Sequence, residues 1–289
     1  MTSTIYDLGY QPYAGQRHGR AHAIGTLFAF SLRTAFAIGR GEQARRVPVL
    51  VAAMLFAPAL IQIGVASATN LTNFIHYANY LEFTAILLAL FAASQAPELI
   101  VTDKQCGVLS LYLSRPLRAS DYAAAKLAAL FAALLILTLA PQLMLFGGKI
   151  LLAKEIWPAF KAEWTKLGPI VLGSVVIALL IASTALAISS FAVKRAYASA
   201  SVIALFLVGP ALSEIIRFVA TGDVRRYAVL LNPAHLVGGL SSWLFRLEAS
   251  RRSVVGRADI PDVMYLIVTL GVSLVAIVVL FSRYRKNES

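Results

Sequence analysis

Residues 97–126, PELIVTDKQCGVLSLYLSRPLRASDYAAAK, form a charged gap between two strongly apolar runs. Asp103, Lys104, Arg115, Arg118 and Asp121 crowd into the gap. The flanking runs, Tyr80–Val101 and Tyr122–Phe146, carry only Glu82, Glu98 and Lys126. At about 1.5 Å per helical residue, each run is long enough to cross a hydrocarbon core of roughly 30 Å. The stretch therefore reads as a short polar connection between two membrane helices, and the same pattern repeats along the chain.

Composition supports this reading. The chain is 59% hydrophobic and 14% charged, whereas soluble domains are roughly half apolar and a quarter charged. In lipid, a spanning segment must satisfy its own backbone, and runs this long do so as helices. The fold class expected is an all-α integral membrane protein. A net charge of +12 in a soluble protein would point to nucleic acid. Here Lys and Arg sit in the gaps between apolar runs, as flanking charge on spans does, so no nucleic-acid partner is expected. Cys106 is the sole cysteine, which excludes an internal disulfide and a CxxC knuckle. His18, His22, His76 and His235 are scattered and form no HExxH motif, so no metal site is expected. The first twenty residues lack the apolar core of a cleavable signal peptide and are expected on the cytoplasmic side.

Outward from the gap, the sequence predicts six spans. Residues 1–46 form a cytoplasmic tail and an interfacial helix, Ile24–Gly39, with Ile24, Phe28, Leu32 and Phe36 on one stripe. That helix covers only roughly 24 Å, so it reads as lying in the interface. The transmembrane domain is 47–281. Its spans are Val47–Ala68, Tyr80–Val101, Tyr122–Phe146, Leu167–Val193, Ala196–Val219 and Val263–Phe281, with a short tail at 282–289. Gly147–Lys166 reads as a loop whose Trp157 and Trp164 suit an interface. Within 221–262, the apolar run Ala228–Phe245 is broken by Asn232-Pro233 and Gly238-Gly239. Broken backbone at membrane depth must be buried in protein. A re-entrant or interfacial helical hairpin is therefore expected on the extracellular side, with a seventh span as the alternative. With six spans and the N-terminus inside, inner segments carry fourteen Lys and Arg and outer ones ten; the first outer turn carries none. This places both termini in the cytoplasm.

Catalytic patterns are sparse. Gly147-Gly148-Lys149 resembles the end of a phosphate loop, but Leu143 and Ile150 stand where that motif needs Gly and Ser/Thr. Gly239-Leu240-Ser241-Ser242 near His235 resembles a serine-nucleophile site, yet Gly/Ser patterns are common where membrane helices pack. Gln62, Glu98, Gln142, Glu214 and Arg217 are candidate intramembrane polar residues or substrate-path residues. Glu214 and Arg217 are three apart on a helix and suited to pair. No line of carboxylates crosses the membrane, as a proton-coupled pump needs. The path that remains is apolar and small-sided, which fits an amphiphilic or hydrophobic cargo.

Within the opening stretch, Gly107–Ser114 predicts a short helix ended by Arg115-Pro116, with Ser120 a candidate N-cap for the next span. The segment resembles the signature of the membrane subunits of type-2 ABC exporters. That pattern has acidic and polar residues, a glycine followed by leucines, a proline after Ser/Arg, and a lysine about ten residues on. Asp103, Gln105, Gly107, Leu109, Leu113, Pro116 and Lys126 occupy those positions. The family often has more acid before the glycine and Thr after it; here Lys104, Cys106 and Val108 stand there. The interfacial N-terminal helix, six spans and broken hairpin match the same architecture.

The resemblance implies the rest of the mechanism. A cytoplasmic coupling helix at about 103–117 would meet a partner ATPase through Asp103, Gln105, Gly107, Leu109, Leu113, Arg115, Pro116 and Arg118. It implies two separate ABC ATPase subunits that bind ATP and Mg, a second copy or a related permease, surrounding membrane lipid, and a bacterial plasma membrane. No cofactor is expected on this chain itself. A non-transporting membrane scaffold or assembly subunit is the alternative.

Overall fold

The computed structural model describes residues 19–69, 77–108, 117–246 and 260–285, and among these the secondary structure is helical, with no strand. Six helices are long and apolar enough to cross a membrane: α2 Glu42–Thr69, α3 Tyr77–Gln105, α4 Ala119–Leu151, α5 Ile156–Phe191, α6 Arg195–Val219 and α9 Asp262–Arg285. They follow the short α1, Arg20–Ala35. Between α6 and α9 lie α7, Gly222–Tyr227, a 3-10 turn at Ala228–Leu231, and α8, Pro233–Leu244.

The bundle is built around α3 and α5. In α5, 78% of the most apolar window is buried within the chain, and in α3 72%; in α2 and α6 the share is 22%. The first two therefore form the protein core, and the latter two present apolar faces outward. Small residues make the close packing possible. Ala85, Ala89, Ala92, Ala93 and Ala96 of α3 are buried beside Ala178, Ala182 and Ala185 of α5. Association of helices in lipid depends on such close approach, because lipid is as apolar as the side chains.

The stripe predicted on α1 faces protein. Ile24, Phe28, Leu32 and Phe36 pack against the main core while Leu27, Ser31, Thr34 and Ala35 are buried. α1 lies along α4 and α3, and the Phe36 and Phe91 rings are 6.1 Å apart.

Three sequence expectations need correction. Gly147–Lys166 is not a loop: α4 runs on to Leu151 and α5 starts at Ile156, so the connection is residues 152–155. The charges that looked like loop residues pair on the two antiparallel helices instead, Lys149 of α4 across to Glu163 of α5 and Lys166 within α5. Glu163 accepts from Lys149 at 2.8 Å and from Lys166 at 3.6 Å. Nor is Ser120 the N-cap of α4. Arg118 holds that place, and the Asp121 carboxylate three residues on accepts its backbone N–H at 3.0 Å, which is half of a capping box. Finally, Asp103 and Gln105 belong to the last turn of α3 rather than to a separate helix.

α6 contains one wide turn, Ala204–Val208, directly before Gly209-Pro210. Pro210 has no N–H to give and its ring crowds the preceding turn, and a π-type turn relieves both.

The broken segment folds back on itself. Ser213 Oγ donates to the Ala228 carbonyl at 2.9 Å, and a Cβ on Gly209 would lie 2.9 Å from Asn232 Nδ2. The chain leaving α6 therefore returns alongside Gly209–Val219. At Asn232-Pro233 it turns: Asn232 Oδ1 accepts the Ala234 N–H at 2.6 Å, and proline sits in the first helical turn, where its missing N–H costs little. α8 then runs back until Phe245 stacks on Tyr77, 6.1 Å between centroids, at the start of α3. Tyr77 shares that end with Lys149 and Glu163. Gly239 passes so close to α9 that an added Cβ would lie 2.3 Å from the Tyr265 ring. The Gly-Ser pattern is thus a packing seam: Ser241 Oγ donates to the Gly238 carbonyl at 2.9 Å, and no bond joins it to His235 among the described residues.

Candidate coupling site at the charged end of the bundle

The last two turns of α3 are tied to α4, to the end of α5, to α6 and to the turn before α2 at one end of the bundle. Glu98 accepts from Arg40, in the turn before α2, at 2.9 Å, and also from Arg195 at the start of α6. One turn on, Asp103 pairs with Lys126 of α4 at 2.8 Å and accepts from the Tyr122 hydroxyl at 2.8 Å. Lys104 donates to the Ser190 carbonyl and Gln105 to the Val193 carbonyl at 3.0 Å, both at the end of α5. The Tyr122 ring lies 5.3 Å from that of Tyr284 near the end of α9. A second tie holds α1: Arg20 grips Asp121 with two bonds, 2.8 Å from Nε and 2.7 Å from Nη2. This fork geometry is the strong form of an Arg–carboxylate pair, and Asp121 raises the Arg20 pKa above its already high value, chiefly through that hydrogen bond.

The chemistry of these ties is unequal. The Lys126 side chain is 2% exposed and that of Asp103 14%. A cation this far inside an apolar helix needs a partner, and Asp103 supplies it. Glu98 and its arginines are partly open to solvent, where single ion pairs contribute little.

From this frame the connecting segment emerges. Gly107 has φ of +65°, the left-handed conformation that ends many helices and that glycine adopts at least cost. The Cys106 N–H reaches back to the Thr102 carbonyl at 2.9 Å. On the α4 side of the connection, Leu117 is buried and Arg118 exposed. Leu109, Leu113, Arg115 and Pro116 of the expected coupling helix lie outside the described residues.

A family model described as "ABC-2 family transporter protein" matches residues 15–289, nearly the whole chain. The chain belongs to the ABC-2 transporter family. No curated protein matches it closely enough to add a relative. As an ABC-2 permease it is a multi-pass membrane component of an ABC transporter, a class that works with ABC ATPase subunits and is not itself the catalyst.

Within this ABC-2 permease, the sequence-predicted residues separate into groups. Asp103 faces inward to Lys126, and Gln105 binds α5. Gly107 turns the chain, and Arg118 stays at the surface. The intramembrane candidates meet different partners. Gln142 is fully buried and donates to Ser174 at 3.4 Å, while Gln62 Oε1 is buried without a partner among the described residues. Glu98 belongs to the charged frame. Glu214 and Arg217 pair at 2.8 Å beside the hairpin.

Several contributors were missed in the sequence: Arg20, Arg40, Tyr122, Arg195 and Tyr284. One signal was available, since Lys126 inside an apolar run demands a nearby acid and Asp103 was the closest candidate across the gap. No signal marked the others, whose partners lie on distant elements.

Proposed function

We propose that this chain is the permease subunit of an ABC exporter, in which two separate ATPase subunits press on the connection between α3 and α4. The observation that carries this reading is the tie-down of α3's last two turns to the ends of α1, α2, α4, α5, α6 and α9, directly or through Tyr122 and Asp121. A push on residues 106–118 then meets a braced frame rather than a loose loop end, so it moves helices rather than deforming one. The ATPases supply ATP and Mg; the permease borrows their motion.

A second permease, identical or related, completes the path. The largely uncovered apolar faces of α2 and α6 are suited to it and to lipid. The cargo is amphiphilic or hydrophobic and leaves between the two permeases. The charged frame and both termini face the cytoplasm, and the Glu163 end faces outward, in a bacterial plasma membrane.

The test is co-expression with the ATPase subunits encoded beside the gene. A stable membrane complex with ATP hydrolysis that depends on the permease is the expected result. No bound ATPase refutes the reading, and a stable complex that neither hydrolyses nor transports favours a scaffold.

A further inference from the structure

Between α5 and α9 runs an apolar furrow of about 560 Å³, with Ala187, Ile188 and Phe191 on one wall and Val268, Gly271, Val272, Val275, Ala276 and Val279 on the other. No polar side chain lines it. From Val268 to Val279 it extends roughly 16 Å along the helix, about half of a hydrocarbon core of roughly 30 Å. It is centred on the middle of α9, and its Val279 end lies about one turn from Arg283 at the charged end of the bundle.

At that end the furrow meets a second cavity of about 390 Å³, lined by Lys104, Gln105, Phe191, Ala192, Val193, Arg283 and Tyr284. Phe191 is common to both, and the Arg283 guanidinium lies 5.5 Å from its ring centroid. No acid lines this cavity among the described residues. Asp103, the closest acid in sequence, is turned away to Lys126 and Tyr122. Lys104 spends one donor on the Ser190 carbonyl, which leaves two of its three N–H bonds. Two cations without a carboxylate thus stand at the mouth of an apolar furrow roughly 16 Å long.

We propose that the furrow holds one acyl chain of an anionic glycerophospholipid whose phosphate binds Lys104 and Arg283. Phosphate accepts from Lys and Arg by charge-assisted bonds, and basic pockets between membrane helices recognise anionic headgroups in this way. A helix from a second copy would fill the apolar part but would need to bring its own carboxylate to the mouth. The inference requires only a membrane-embedded chain and does not depend on the ATPase coupling proposed above. Its consequence is a resident lipid that fastens α9 to α5 beside the coupling frame.

The experiment is native mass spectrometry of the full chain in detergent, titrated with phosphatidylglycerol or with phosphatidylcholine of the same chains. The expected result is one retained phosphatidylglycerol, bound about tenfold more tightly than phosphatidylcholine, the ratio that one charge-assisted contact supplies. Arg283→Gln, at an exposed position, weakens phosphatidylglycerol about tenfold and leaves phosphatidylcholine unchanged. Gly271→Leu weakens both, because a Cβ at Gly271 meets nothing within 4 Å and a longer side chain enters the furrow. Equal binding of the two lipids overturns the proposal, as does retention that ignores Gly271→Leu or a phosphatidylglycerol preference that survives Arg283→Gln. Membranes carrying Val275→Cys with Cys106→Ser supply a further check. Disulfide-linked dimers there identify the occupant as a second copy and overturn it as well.

Discussion

Removal of the Lys126 charge tests whether Asp103 braces the bundle or waits for a partner. The two side chains are 2.8 Å apart and almost wholly out of solvent. Lys126→Met leaves Asp103 with the Tyr122 hydroxyl as its remaining side-chain partner among the described residues. Removal of one member of a buried pair costs about 3–5 kcal/mol, because the other charge stays buried without compensation. Proteins of 150–250 residues lose roughly 2–4 °C of Tm per kcal/mol, so Lys126→Met or Asp103→Asn is expected to lower Tm in detergent by roughly 10 °C. The double variant removes both charges and should recover much of that loss, with a coupling energy in the range of about 0.5–3 kcal/mol found for contacting residues. The assay is the thermal unfolding of all four proteins, together with permease-dependent ATP hydrolysis in the complex. Additive losses, or a Tm unchanged in Asp103→Asn, would refute the brace. If Asp103→Asn kept its Tm but lost ATPase binding, the carboxylate would belong to the partner interface that the sequence resemblance implied.

Four further outcomes are expected. Gly107→Ala strains a residue at φ of +65° and should cost about 1–2 kcal/mol, with weakened coupling of ATP hydrolysis; an unchanged Tm argues against a glycine requirement. Charge reversal at Arg115 and Arg118 should lower coupled ATPase activity while insertion into the membrane stays normal, and full activity counts against contact through this segment. Gly239→Ala drives a methyl into the Tyr265 ring and should cost about 1–3 kcal/mol by overpacking, partly relieved by Tyr265→Leu; equal Tm values with and without Gly239→Ala would show that the seam is loose. With Cys106→Ser as background, Asp223→Cys and Arg251→Cys should both label from outside, and labelling of position 251 from inside would establish a seventh crossing.

Much of the fold was legible because lipid imposes a length. Each span had to supply its own run of apolar residues, and each of the six runs lies within an observed helix to within two residues, although α5 starts well before its run, at Ile156. The misread part, Gly147–Lys166, shows where that logic stops. Two glycines and several charges resemble a loop in isolation. Helices can continue through them because Lys149 of α4 meets Glu163 on antiparallel α5, where Lys166 joins it from the next turn, and the pairing across the helices depends on tertiary contact. The site divides in the same way. Gly107 and the Asp103–Lys126 spacing were visible along the chain, whereas Arg20 meets Asp121 across 101 positions and Arg195 meets Glu98 across 97. Such pairs leave no local pattern.

The two ends of the bundle are braced differently, and the difference bears on how motion could travel. At the Glu163 end, the described ionic and cation–aromatic contacts join α3, α4 and α5 through Tyr77, Lys149, Glu163 and Lys166. These helices already form the protein core. At the Glu98 end, the ties reach beyond the core to α1, to the turn before α2, to α6 and to α9. α2 and α6 are the helices with the least cover from the rest of the chain, and Glu98 bonds to an arginine at the root of each. On the proposed reading, a push entering beside Gly107 would meet the roots of both outward-facing helices at one carboxylate, about two and a half turns away along α3. Their far ends lack a comparable charged tie to the core among the described residues. On that reading, the braced end would serve as the pivot about which the two helices tilt.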